Sequence, residues 1–177
     1  MNYEANELHV KLLDGSINRA VAKYQPSDTI DFAILKLETT SGSLPICTGL
    51  RNRNDEFVPG QVFMEDEFTL NPETEVYKWG STTNLTTGIY KETYEKIEHR
   101  DESYPSIVIR NDPNGSFCEP GDSGSLVCFT GYNSEVAACL LIGQDDKCRG
   151  TFPGHRIADG ISLIKKERPK INHLFTN

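Results

Sequence analysis

The chain has 177 residues, of which 37% are hydrophobic, so it can build one sizeable domain or two small barrels packed on each other. It carries 26 acidic against 18 basic residues, and the formal net charge of −8 argues against a nucleic-acid partner, which rewards clustered Lys and Arg. No run approaches about eighteen consecutive apolar residues, so no segment is predicted to span a membrane.

The first ten residues, MNYEANELHV, have neither the basic nor the apolar segment of a secretory signal. If Met1 is the true start, we expect a cytoplasmic location. The five cysteines are an odd number, which argues against a closed disulfide set, and they show no CxxC spacing, which argues against a zinc site. We therefore predict neither a metal nor an organic cofactor.

Short runs of alternating apolar residues dominate the chain and predict β-strands. In chain order these runs cover 8–12, 20–24, 32–37, 61–64, 76–79, 107–110, 125–129 and 137–143. Only 159–167 looks helical, with Asp159 as a possible N-cap and Pro169 following it. The pattern predicts an all-β fold, divided into a first β unit over 1–58, a second over 59–158, and a C-terminal helix and tail over 159–177.

Residues 119–125 read EPGDSGS and come just before the apolar run LVCF. A serine hydroxyl becomes a nucleophile when a base removes its proton and donors stabilise the oxyanion that forms. Gly121, two residues before Ser123, lets the backbone aim two N–H groups into one small hole, and Gly124 keeps side chains out of the approach path. The alternative is an ordinary serine in a glycine-rich turn.

The stretch GDSGS followed by an apolar strand resembles the nucleophile motif of chymotrypsin-like serine peptidases. Two further stretches resemble the same family in the same order. TIDFAILKLE at 29–38 resembles the strand that presents the triad aspartate. VYKWGSTTNLTTGIYKE at 76–92 resembles the strand, glycine turn and strand that begin the second barrel, most closely in streptogrisin-like members. The resemblance covers residues 7–167 and implies a chymotrypsin-like double β-barrel with a C-terminal helix.

The resemblance also implies site residues. Ser123 would attack the carbonyl, the N–H groups of Gly121 and Ser123 would form the oxyanion hole, and Asp31 would orient a histidine base. Apart from the resemblance, we expect Asp122 to set the turn through backbone hydrogen bonds rather than to act as an acid. Substrate-binding positions fall at Phe117, Leu141, Ile142 and Gly143, and an aromatic residue at 117 predicts a shallow or apolar pocket with no preference for Arg or Lys.

The catalytic histidine departs from the family pattern. In the family it precedes the aspartate by roughly thirty to forty-five residues, and no histidine of this chain stands there. His9 is closer to Asp31 and belongs to the alternating run LHVKL, where it reads as a surface histidine on a strand and only secondarily as a base. We therefore expect a chain that lacks the family's N-terminal portion, with an incomplete first barrel. His155 reads as a loop histidine, with a place in the specificity pocket as the alternative.

Three functions remain open at this stage. The first is a serine endopeptidase that works through an acyl-enzyme on Ser123, without activity in this chain if the base is absent. The second is a pseudopeptidase that binds a protein through the retained cleft, and the third is a truncated fragment with exposed apolar surface. The expected partner is a polypeptide substrate or protein ligand, and the sequence makes no prediction of oligomeric state.

Overall fold

A computed structural model of the protein describes residues 8–11, 17–24, 34–38, 49–64, 70–97, 103–145 and 148–167. The chain divides into two compact units, Met1–Ile46 and Cys47–Asn177. Asp31 and Cys47 lie outside the described residues.

The described strands of the first unit form a three-stranded sheet in the order β1-β2-β3. These strands are β1 (Leu8–Lys11), β2 (Ile17–Tyr24) and β3 (Ile34–Glu38). Both pairings are antiparallel, and the β2–β3 register shifts by one residue between Ala22 and Tyr24. All three strands fall on apolar runs that the sequence predicts as strands.

The second unit contains eight strands and one helix. Its strands are β4 (Gly49–Arg51), β5 (Phe57–Val62), β6 (Glu75–Gly80), β7 (Asn84–Ile97), β8 (Ser103–Asn111), β9 (Leu126–Thr130), β10 (Glu135–Leu141) and β11 (Thr151–Arg156). They form one sheet in the order β11-β8-β7-β6-β9-β10-β5-β4, and β11 also pairs with β10. This second pairing closes a six-stranded barrel, which leaves β5 and β4 as an extension from β10.

The barrel core follows from the two-residue period of its strands. Val76 on β6, Ile107 and Ile109 on β8, and Val127 on β9 are fully buried and belong to one apolar cluster. The side chains between them face outward, where Tyr77 and Cys128 join a second cluster with Ile157 of the helix. Two apolar layers therefore sandwich the barrel wall at this side.

Two strands of the second unit, β4 and β11, were not predicted. β11 reads TFPGHR, and Pro and Gly usually argue against a strand interior. It persists because it pairs with β8 on one side and with β10 on the other, and Gly154 lets β10 approach closely. Tertiary pairing thus overrides the local signal.

The helix α1 spans Ile157–Glu167 and packs against β10 and β11. It begins two residues earlier than predicted, so Asp159 lies in the first turn and is not the N-cap. There its carboxylate pairs with Arg156, with a Nε–Oδ2 distance of 3.0 Å, and it faces the positive end of the helix dipole. Among the described residues, no helix is long and apolar enough to cross a membrane.

Candidate active site

The segment 119–125 forms a tight turn at the start of β9. The Asp122 N–H donates to the Glu119 carbonyl at 3.1 Å, and the Ser125 N–H donates to the Asp122 carbonyl at 3.0 Å. Gly121 and Gly124 have φ values of +102° and +84°, a region that favours glycine. The two glycines therefore allow a backbone path that residues with side chains rarely follow.

The backbone N–H groups of this turn fall into two sets. Those of Asp122, Gly124 and Ser125 donate to backbone carbonyls. Those of Gly121 and Ser123 donate to no group in the part of the chain that the structure describes. The turn thus leaves two donors uncommitted on either side of Asp122, as an oxyanion hole requires.

The Asp122 carboxylate is fully buried and holds the turn from within. Its Oδ1 accepts the N–H groups of Thr82 (2.9 Å) and Thr83 (3.2 Å), and its Oδ2 accepts the Glu119 N–H at 3.2 Å. The Thr83 hydroxyl also donates to Oδ2 at 2.7 Å. The expectation that Asp122 sets the turn through backbone hydrogen bonds is confirmed.

Lys78 of β6 completes this arrangement. Its Nζ lies 2.8 Å from Asp122 Oδ2, and both side chains are fully buried. Burial alone would raise the pKa of Asp122, but hydrogen bonds from Lys78, Thr83 and the backbone outweigh it and hold the pKa below its ordinary value. The carboxylate therefore stays ionised, and the ion pair holds the turn that carries Ser123 against β6.

Ser123 lies exposed at the end of the turn. Its Oγ donates a hydrogen bond of 2.7 Å to the carbonyl oxygen of Ile142. A peptide carbonyl accepts this hydrogen bond without removing the proton, so the contact positions the hydroxyl and does not activate it.

The segment after β10 runs alongside the turn. Leu141 is buried and forms two backbone hydrogen bonds with the turn. Its carbonyl oxygen accepts the Gly124 N–H at 2.7 Å, and its N–H donates to the Ser125 carbonyl oxygen at 2.9 Å. The Ile142 N–H donates to Pro153 of β11. Gly143 has a φ of +147° and lies open, with nothing within 4 Å of the place that a Cβ would occupy.

A cavity of about 420 Å³ opens beside Ser123. Gly121 and Gly143 border it, so it adjoins both the turn and the segment after β10. Most of its other lining side chains are polar, namely Asn111, Ser116, Glu119, Gln144 and Arg149.

The aromatic residue at 117 predicts a shallow or apolar pocket, and the polar lining differs from the second of these alternatives. Phe117 is fully buried in the barrel core, where its ring centroid lies 5.7 Å from that of Phe152. Phe152, and not Phe117, lines the cavity. The roles of Phe117, Leu141, Ile142 and Gly143 in substrate binding stay predictions.

The roles of His9 as a base and of Asp31 as its orienting carboxylate stay predictions. His9 lies on β1 of the first unit, opposite Arg19, and Asp31 lies outside the described residues. His155 is a buried residue of β11, so its interpretation as a loop histidine is wrong, and it does not line the cavity.

Sequence reasoning missed Lys78 and the polar lining of the cavity. Lys78 stands in the apolar run VYKW, where a charged residue reads as solvent-facing. The alternation of the strand does indicate its burial. Lys78 lies on the same face of β6 as Val76 and Gly80, and both of these residues are buried. An inward-facing lysine demands a buried carboxylate partner.

No family model matches the chain, and no curated protein sequence matches it. Solved structures do match. The chain is similar to Rv3671c from M. tuberculosis H37Rv, with a TM-score of 0.59 and 16% identity over 93% of this chain and 71% of that one.

Two further similar structures are a glutamic acid specific serine protease and Nocardiopsis protease. Their TM-scores are 0.55 and 0.52, at 19% and 17% identity. The matches cover 84% and 88% of this chain, and 72% and 71% of theirs. At such low identity the likeness concerns the fold, and together with the closed six-stranded barrel and the C-terminal helix it shows that this chain has the chymotrypsin-like fold of serine proteases.

Proposed function

We propose that the chain is a serine endopeptidase with Ser123 as its nucleophile. The proposal rests on the turn at 119–125. There the N–H groups of Gly121 and Ser123 donate to no group in the described chain, and the exposed Ser123 lines a cavity. Two uncommitted N–H groups beside a hydroxyl are the donors that a tetrahedral intermediate needs. The fold supports a polypeptide substrate.

The proposed reaction has two steps. Ser123 Oγ attacks the scissile carbonyl while a base takes its proton, and the negative charge that develops on the carbonyl oxygen is stabilised by the N–H groups of Gly121 and Ser123. The peptide C–N bond then breaks, and the amine leaves with the proton, which gives an acyl-enzyme. Water hydrolyses the acyl-enzyme by the same route and restores the hydroxyl.

Family order leaves one candidate for the base in this chain, although family spacing does not favour it. Asp31 is the proposed orienting carboxylate, and His9 is the one histidine of the chain that precedes it. In an active state the base must replace the hydrogen bond that Ser123 Oγ now donates to Ile142.

That same hydrogen bond favours a second function. With its proton held by a peptide carbonyl, Ser123 is a weak nucleophile, and the cleft would then serve as a polypeptide-binding surface without turnover. This pseudopeptidase keeps the cavity and the segment 141–143 but loses the chemistry. The two functions differ in whether Ser123 reacts.

Labelling of the purified chain with a fluorophosphonate probe separates the two functions. We expect labelling that Ser123→Ala abolishes and that Gly121→Ala strongly reduces. At Gly121 a side chain is strained by the φ of +102°, and its Cβ would stand 2.5 Å from Thr82 Oγ1. Gly115→Ala is the matched control, because nothing lies within 4 Å of its added methyl group, and it should label as the wild type does.

A folded chain that does not label would refute the peptidase and support the binding module. If the wild type labels, His9→Ala and Asp31→Asn test the base. Loss of labelling in both variants would assign His9 as the base and Asp31 as the carboxylate that orients it, whereas full labelling in both would refute this assignment. Binding of an apolar-surface dye by the wild type would instead indicate the fragment.

A further inference from the structure

The cavity beside Ser123 is lined by two side chains of opposite charge. Arg149 and Glu119 both line it, both are exposed, and within the described part of the chain neither side chain forms an ion pair or hydrogen bond. Arg149 differs in this respect from the other arginines whose side chains the structure describes. Each of those four arginines pairs with a carboxylate, namely Arg51, Arg53, Arg110 and Arg156.

A charged substrate side chain gains little from such a cavity. A carboxylate there is attracted by Arg149 and repelled by Glu119, and an ammonium group meets the reverse. In each case one of the two protein charges is brought close to a like charge as water is displaced, which opposes binding. An apolar side chain also fits poorly, because it would remove water from both charges without replacing their hydrogen bonds.

A neutral amide avoids these penalties and finds matching partners. It presents an oxygen acceptor, suited to Arg149, and two N–H donors, suited to Glu119. The Asn111 side chain adds a donor, because its Oδ1 is already taken by the Phe117 N–H at 2.8 Å, while its Nδ2 lies 3.5 Å from the place of a Cβ at Gly150 on the cavity wall.

We propose that this cavity selects an uncharged amide side chain in the substrate residue that precedes the scissile bond, and we take glutamine as the amide to test. The inference rests on the proposed function only in that a polypeptide binds at Ser123, and it holds for a peptidase and for a binding module alike. Selectivity comes from the balance of Arg149 against Glu119, with Asn111 and Gln144 supplying further hydrogen bonds.

The test measures binding of product peptides to the full chain by calorimetry. Four acetylated peptides differ only in the last residue, which is Gln, Glu, Lys or Phe, and we expect the terminal carboxylate of each to accept hydrogen bonds from the N–H groups of Gly121 and Ser123. We expect the Gln peptide to bind at least about threefold more tightly than the other three, the gain of one or two net hydrogen bonds.

Two single variants should shift the preference in opposite directions. Arg149→Gln leaves Glu119 alone, so the Lys peptide should gain the most, whereas Glu119→Gln leaves Arg149 alone and should favour the Glu peptide, each by about threefold or more. Arg149→Lys keeps the charge and should retain the preference for Gln. Both sites are exposed, so thermal unfolding of all variants should match the wild type.

A wild-type chain that prefers Glu, Lys or Phe, binds the four peptides equally or binds none of them overturns the inference. So does a ranking that neither single variant changes. Failure of the peptidase proposal is seen separately, as absence of fluorophosphonate labelling, and peptide binding with the predicted ranking would stand in its absence.

Discussion

Lys78 and Asp122 form an ion pair from which solvent is excluded on both sides, and this geometry makes the pair costly to break. An ion pair of this kind contributes little net stability compared with apolar residues of the same shape, but removal of one partner leaves the other charge buried and uncompensated. The pair is therefore best understood as a device that fixes the turn carrying Ser123.

Lys78→Met should lower the free energy of unfolding by about 3 to 5 kcal/mol, because it leaves Asp122 without its cation. Urea unfolding measures the change. Lys91→Met is the matched control, since Lys91 pairs with Glu92 at the surface and should change stability by less than about 0.5 kcal/mol. Equal effects of the two variants would show that the Lys78 pair has no special role.

Low pH should reduce the free energy of unfolding, because Asp122 becomes protonated. Its pKa is held below the ordinary value of 3.8, so the folded state binds fewer protons there than the unfolded state does. The resulting stabilisation is complete above that ordinary pKa and is lost as the pH falls through it toward the lower folded value. Urea unfolding from about pH 6 to about pH 2 should show this loss, and Asp122→Asn should show a smaller acid dependence. An unchanged dependence would contradict the assignment.

At the residue scale, sequence and structure agree where the chemistry is local. The glycines around Ser123 and the turn role of Asp122 follow from the motif GDSGS, because each is needed within a few residues of the serine. Lys78 lies 44 residues from Asp122, and Arg149 and Glu119 meet only across a cavity, so no local pattern encodes these relationships.

The closure of the barrel depends on the pairing of β10 with β11. At Gly154, a Cβ would stand 2.5 Å from Cys139 Sγ and 3.0 Å from the Leu140 carbonyl oxygen, so the two strands approach as closely as they do because this residue has no side chain. Sequence alone does not reveal this, since the glycine in TFPGHR reads as turn material.

Gly154→Ala should destabilise the protein by about 1 to 3 kcal/mol through overpacking at this seam. Thermal unfolding measures the effect, and Gly115→Ala serves again as the control in open space. Cys139→Ala in the same chain should recover part of the loss, because it removes the nearer of the two obstructing atoms. No recovery would place the strain at the Leu140 carbonyl instead.

At the scale of the elements, the all-β class, most strands of the barrel and the C-terminal helix could be predicted from alternation and turn residues. β7 was seen only through the family resemblance, because NLTTGIYKETYEKI does not alternate. It is a strand because it pairs with β8 from Gly88 to Ile97, around a shift in register near Lys91. Pairing partners, and not periodicity, define such strands.

The whole molecule comprises two units, and the second contains a closed barrel with its own core. Within this unit, the buried hydrophobic side chains run from Phe63 to Ile164. Two arginines near the start of this unit pack on its aromatic residues, Arg51 over Trp79 at 3.6 Å and Arg53 over Tyr77 at 5.0 Å. The second unit thus has the apolar burial and the peripheral contacts of a domain.

Residues 47–177 should fold without the first unit. Trp79 is the single tryptophan of the chain, and its Nε1 donates to the Asn52 carbonyl at 3.0 Å, so its fluorescence reports on the fold of this unit. We expect the isolated segment to unfold cooperatively in urea with the emission spectrum of the full chain. Emission typical of solvated tryptophan, without a cooperative transition, would refute its independence.

The pairing of β5 with β10 also has a consequence for the time course of synthesis. β5 runs parallel to β10, with Gly60 opposite Glu135. During synthesis β10 leaves the ribosome long after β5 does, because it lies much later in the chain. Until then the hydrogen-bonding edge of β5 has no partner from β10. Because contacts so distant in sequence form late, we expect a slow-folding chain whose nascent form is exposed to aggregation and benefits from chaperones.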